Sequence, residues 1–347
     1  MRLSQGHSTA AHHEACAVTD IEHHRVHESL QQSNGRRTRS VHHQIDALIA
    51  SSPIDGSEWT TMDAITDVAV PVVTFLMMVA VGHSLTTTDL KRSATDLRSL
   101  VTASVGQVVV LPAIATIIVL VVEPTPMVVA GLILVAASPG GTISNFYACI
   151  SGANAALSIT LTVISCVLSF ATIPALVAAG FFFWLDDQPD VAVPFTALVI
   201  QLLLLVALPT GLGMALRRWR PESTTSRDLQ LRRASLTALV LLVASIVYSQ
   251  YGALISALGE LVLVSLLFTA LAMAGGYCLA WATGRPTADR LTFTIEFPCR
   301  NLVLALMVAV TTLDRPDFVV FAAVLLLVQA LVMLGLIFIV GPRRAAD

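Results

Sequence analysis

The chain has 347 residues, 55% of them hydrophobic and only 12% charged, with a net charge of −3. A soluble domain carries about 25% charged residues, so the composition excludes an ordinary water-soluble enzyme or scaffold. The slight acidity excludes a nucleic-acid binder, which needs a basic footprint.

Residues 1–64 form a polar head that holds 13 of the 43 charges and eight of the nine histidines. It has no apolar core of the kind a secretory signal carries. Its tract HHEACAVTDIEHHRVHE could hold Zn²⁺ or Ni²⁺. It lacks an apolar framework to fix the ligands, however, and the head reads as a disordered tail. A start of translation at Met62, just ahead of the first apolar run, is a further reading of the same segment.

Nine apolar runs come after the head, at 65–85, 99–122, 127–150, 155–184, 191–216, 234–250, 259–283, 288–312 and 317–341. A helix needs about 20 such residues to cross a bilayer, whereas barrel strands read as ~10-residue alternating segments. The expected fold is therefore all-α and polytopic. Residues 65–341 form a transmembrane domain of nine helices, and 342–347 a tail. Alternate loops place Lys91, Arg92, Arg98, Arg217, Arg218, Arg220, Arg227, Arg232, Arg233, Arg285, Arg290, Arg343 and Arg344 on one side and only Arg315 on the other. The positive-inside rule then makes the C-terminus cytoplasmic and the start of the first span extracytoplasmic. The cell's plasma membrane is the expected location.

Two charges outside the head, Glu296 and Arg300, fall inside a run rather than at its ends. An ionisable group at the middle of a membrane costs at least about 2.5–3.5 kcal/mol, so it points to function. A mutually neutralised, structural pair four residues apart is the alternative. The same run carries Pro298, and the third carries Ser138-Pro139-Gly140-Gly141-Thr142. Proline removes a backbone donor, and the two glycines loosen the helix beyond it. Broken backbone survives in hydrocarbon only where protein or a water-filled cavity covers it. The third and eighth runs cross in opposite directions, and paired broken helices of that kind indicate a transporter built from inverted repeats.

The string SPGGTISNFYACISGANAALSITLTVIS closely resembles the signature of the bile acid:sodium symporter (BASS) family. FLMMVAVGHSLTTTDLKR, LPTGLGMALRRW and IEFPCRNLVLAL resemble its other motifs, so the similarity runs from about residue 70 to 340. Bacterial members often have ten spans, and here the first of them is missing. The resemblance implies a panel domain and a core domain, with two broken helices crossing at their unwound centres. It implies a sodium site of Ser144, Asn145, Ser158, Thr162 and Glu296. A second site would use Gln107, Glu296, the carbonyls of Phe297 and Cys299, and the side chain at 300. Thr142 and Asn301 match positions that line the substrate cavity, where Gly140 and Gly141 would let backbone approach the ligand. The implied substrate is an organic anion of the bile-acid, steroid-sulfate or small-carboxylate class.

Position 300 departs from the family pattern, which has glutamine there. A guanidinium has five donors and no acceptor, so Arg300 cannot ligate sodium. It is expected to pair with Glu296 and donate to Gln107, leaving at most one sodium coupled to transport. Alternatively, it reaches a substrate carboxylate bidentately. Also open are a sodium-independent or proton-coupled carrier, and a membrane receptor or scaffold that does not transport. His83, the only histidine outside the head, suits either an interfacial polar role or proton coupling. The five cysteines show no disulfide framework and read as small apolar residues. No zinc-protease, nucleophile-elbow or Walker motif is present, so neither catalysis nor ATP-driven pumping is expected. No cofactor is expected beyond Na⁺ as coupling ion. The bilayer and a small solute are the expected partners, and a monomer suffices.

Overall fold

In the computed structural model the described residues are 69–84, 97–185, 195–219, 237, 240, 241, 243–245 and 247–340. They belong to one compact unit, Thr61–Asp347. The polar head, with its histidine tract and Met62, lies outside the described residues. So do the tail and much of the sixth apolar run.

Among the described residues every regular element is helical. In chain order they are α1 (Val70–Ser84), α2 (Leu97–Val122), α3 (Pro126–Ala137), α4 (Ile143–Ser151) and α5 (Ala155–Trp184), followed by α6 (Phe195–Leu202), α7 (Leu208–Trp219), α8 (Tyr251–Ala282), α9 (Thr287–Glu296), α10 (Leu302–Met307) and α11 (Val319–Val340). A π-turn, Leu203–Ala207, joins α6 to α7 just ahead of Pro209, where the missing amide donor loosens the preceding turn. A second π-turn, Val308–Thr312, extends α10.

Among the described residues five helical segments are long and apolar enough to cross a membrane: α2, α5, the joined α6 and α7, α8, and Pro316–Val340. Their outward faces carry Val121, Leu331 and Phe338, all largely exposed. Such faces suit hydrocarbon rather than water. The seventh run starts earlier than expected, because α8 begins at Tyr251 rather than near 259. Residues 251–258 include Ala253, Leu254, Ala257 and Leu258 and no charge, so the helix continues despite Gly252 and the connection to the preceding helical residues narrows to the turn at Gln250.

The third and eighth runs are both interrupted where the sequence indicated. Alone, α3 has 12 residues, about 18 Å at 1.5 Å per residue, too short for a ~30 Å hydrocarbon core. It stops at Ser138 and the chain resumes helix at Ile143 as α4. Likewise α9 stops at Glu296 and α10 starts at Leu302. Proline alone does not cause this, since Pro112 and Pro174 sit inside the continuous α2 and α5. Each break instead finds its backbone partner in the other. The Gly141 N–H donates to the Cys299 carbonyl at 2.8 Å, and the Asn301 N–H to the Pro139 carbonyl at 2.8 Å. Gly140 and Arg300 thereby form an antiparallel bridge, which satisfies polar groups that neither helix could satisfy itself.

Around this crossing α8 packs on α2, α9 and α11, while α3 packs on α5. On another flank, α1 lies along α7. There Gly82 and Gly213 face backbone that would collide with any side chain, Gly82 against Thr210 and Gly213 against Val79. The crossing is thus held at the centre of a helical frame rather than on a loop.

Candidate functional site

Glu296 ends α9 and is fully buried. The Ser158 hydroxyl donates to its Oε2 at 2.8 Å, and the Thr162 hydroxyl to its Oε1 at 3.0 Å. Both hydroxyls also lie within reach of Asn145 Oδ1, at 2.8 and 3.3 Å. Thr162 further faces the Ser158 carbonyl at 3.1 Å. Each hydroxyl has one proton, so two protons serve five such contacts. Ser144 donates to the Gly141 carbonyl at 2.7 Å and lies against the same carboxylate. The structure therefore brings together Ser144, Asn145, Ser158, Thr162 and Glu296 from α4, α5 and α9. Every atom facing inward is oxygen, and acceptors outnumber donors. Such a cluster fits a hard monovalent cation, to which oxygen lone pairs can all point.

Ser165 is a site residue that the sequence pattern did not single out. It accepts the Gly140 N–H at 2.9 Å and donates to the Thr162 carbonyl at 2.9 Å, tying the first break to α5. A signal was available, since Ser158, Thr162 and Ser165 sit four and three residues apart on one helix face.

Gly140 and Gly141 serve the crossing itself. A Cβ at Gly140 would stand 2.6 Å from Glu296 Oε1, and one at Gly141 2.7 Å from the Arg300 carbonyl. Close approach is needed here between the two breaks, and not first of all between backbone and ligand. Asn301 caps α10, its side chain accepting from Leu304 N at 3.3 Å, whereas Thr142 precedes α4 without a side-chain cap. Both α4 and α10 start at the crossing, so their N-terminal amide ends converge there, and such ends favour negative charge.

The expected second cation site is different. Among the described residues no ion pair joins Arg300 to Glu296, and Arg300 does not donate to Gln107. The guanidinium turns instead to the Ser138 carbonyl, accepted there at the C-terminal end of α3. The carboxylate is already engaged by α5 hydroxyls, and a helix-end carbonyl is the competing acceptor. Cys299's carbonyl, another expected ligand, accepts the Gly141 N–H on one of its two lone pairs. Arg300 Nε and Nη1 and both amide atoms of Gln107 are buried without a hydrogen bond. Arg300 and Gln107 line one small cleft with Ser104, Pro139, Ser165 and Thr172.

Other expected residues fall elsewhere in the frame. Pro298 lies in the second break. The His83 carbonyl accepts from Arg217 Nη1 at 2.8 Å, linking α1 to α7. Cys149, Cys166, Cys278 and Cys299 are free thiols. Among the described residues no cluster of His, Cys, Asp and Glu could hold a metal ion.

Two interrupted apolar helices, crossing at buried polar centres within a helical frame of apolar outer faces, define a polytopic membrane protein with an internal polar crossing. A model described as the Sodium Bile acid symporter family matches residues 71–279. The chain belongs to this family, whose members are transporters rather than enzymes. The match ends before α9, so it does not reach Glu296 or Arg300. The human "P3 protein" is 27% identical over 213 residues, 60% of this chain and 44% of its own. "Probable sodium/metabolite cotransporter BASS1, chloroplastic" of Arabidopsis thaliana is 26% identical over 241 residues, 70% of this chain and 59% of its own. "Uncharacterized sodium-dependent transporter YocS" of Bacillus subtilis is 24% identical over 172 residues, 50% of this chain and 52% of its own. The chain spans about half the length of the curated relatives it matches.

Proposed function

We propose that the protein is a secondary active transporter, carrying a small organic anion across the plasma membrane by alternating access and coupled to at most one sodium ion. The observation that carries this reading is the acceptor-rich cluster around Glu296. Two of the relatives have names that refer to sodium, which agrees with it. In this reading nine spans divide into a panel and a core, and inverted repeats place the two broken helices at the core's centre. The C-terminus is cytoplasmic and the first span starts outside.

The coupling follows from geometry. Sodium held by Asn145, Ser158, Thr162 and Glu296 draws α4, α5 and α9 together. The same elements set the crossing, from which the amide ends of α4 and α10 face the substrate anion beside Thr142 and Asn301. Sodium thus organises the anion site without touching the anion, and each ligand favours the other by reciprocal linkage. Arg300, a permanent donor, bars a second sodium from the far side of the crossing.

Uptake of a panel of labelled organic anions into proteoliposomes tests this under sodium, proton and no gradient. The expected result is sodium-driven uptake of at least one carboxylate or sulfate with a Hill slope near one. A slope near two overturns the single-ion stoichiometry. Uptake indifferent to sodium overturns the coupling and returns the choice to a sodium-independent or proton-driven carrier.

A further inference from the structure

We propose that the cleft between α2, α5 and the two breaks is a binding site for one small monovalent anion of halide size, held by Arg300 and Gln107. Hydrogen-bond supply is the first ground for it. Arg300 is 5% exposed and Gln107 3%, and both line the same cleft. One guanidinium nitrogen is used, by the Ser138 carbonyl. The remaining Nε carries one N–H, Nη1 two, and the Gln107 amide nitrogen two. The acceptor left among the unpaired polar atoms of this pair is the Gln107 amide oxygen, with two lone pairs. Even if Gln107 turned that oxygen onto the guanidinium, donors would remain in surplus. The Ser165 hydroxyl oxygen adds little relief, since one of its two lone pairs already accepts the Gly140 N–H.

Charge points the same way. A buried cation is retained only with compensation. The nearest carboxylate, Glu296, spends its oxygens on Ser158 and Thr162 on the other side of the crossing, and among the described residues no ion pair joins it to Arg300. Once a cation neutralises Glu296, Arg300 stands without a counter-charge. A single monovalent anion supplies one. The apolar share of the lining, Val108, Ala136, Ala137 and Leu176, suits a weakly hydrated halide better than a phosphate or sulfate dianion. Ala136, Ala137 and Leu176 also line a second, apolar cleft bounded by Val119, Phe183 and Trp184 at the far ends of α2 and α5. The anion site and the cation site then help each other, each charge making the other's binding easier.

The coupling rests on sodium binding at Glu296, but the anion site does not, and the test separates them. Thermal unfolding midpoints of the purified full-length protein are compared in choline gluconate, choline chloride, sodium gluconate and sodium chloride, with choline formate as a fifth arm. The expected result is a chloride-dependent upward shift in choline. The chloride titration midpoint should fall about tenfold when sodium is added. R300Q should lose the chloride shift and keep the sodium shift, and Q107L should weaken chloride binding about tenfold while leaving the fold intact. N145A should lose the sodium shift and keep the chloride shift. No chloride effect on the unaltered protein, or an undiminished effect in R300Q and Q107L, would overturn the site. A shift with formate and none with chloride would overturn the halide assignment in favour of a carboxylate. A chloride shift with no sodium shift would leave the anion site standing and sink the sodium reading.

Discussion

The two sides of the helix crossing present opposite chemistry. Beside α4 and α5, Glu296, Asn145, Ser158 and Thr162 offer more acceptors than protons to fill them. Beside α2, Arg300 and Gln107 offer more protons than acceptors. Both sides are built from one pair of breaks, and the two mid-run charges stand only four residues apart in sequence. Proximity in sequence does not make an ion pair here, because each side chain finds a nearer partner on a different neighbour. A buried acid and base can therefore offer two separate sites while each still feels the other's charge.

The strongest way to break the contrast is to disturb the wall between the sides. Gly140→Ala places a Cβ 2.6 Å from Glu296 Oε1 and 3.2 Å from Ser165 Oγ. It is expected to cost about 1–3 kcal/mol, as overpacking does, and to abolish the sodium and the anion responses together. Unfolding midpoints and initial uptake rates measured on the same preparation check this, and loss of one response alone would contradict it. Glu296→Gln comes next. It keeps the shape and removes the charge, weakening two charge-assisted hydrogen bonds worth about 1.5–3 kcal/mol each. Sodium stabilisation should vanish, while chloride binding, now facing an uncompensated Arg300, should tighten. A chloride titration reads the difference. The smallest effect is expected at Asn154→Ala. Asn154 caps α5 through Leu157 N at 3.1 Å and holds Asp289 on α9 at 2.9 Å. Loss of such a cap costs about 1 kcal/mol, and it should lower the unfolding midpoint without altering either ion's titration. An altered sodium midpoint would extend the cation side's influence to the N-terminal cap of α5.

Much of this architecture was legible in the residues. Both breaks stood out because proline was joined by a glycine pair in one run and by charge in the other, whereas Pro112 and Pro174 lacked such company and their helices continue. The cation-side residues were reached through the family signature, and their shared helix faces agree with it. What stayed hidden depended on contacts between distant segments. Arg300 turns to Ser138, a buried carbonyl 162 positions away that lacks an intrahelical partner only because α3 stops there. Ser165 shared a helix face with Ser158 and Thr162, but its tie to the Gly140 amide of the first break depended on that contact. The start of α8 escaped the hydropathy pattern because a single residue, Gln250, makes the turn.

The paired breaks also act as a clock. The amides of Gly141 and Asn301 each have their acceptor on the opposite break, so neither can exchange its hydrogen with water until the two segments part. Their exchange rates therefore time the separation of the halves, however freely the surrounding helices rock. If both amides exchange slowly throughout transport, the crossing travels as one body.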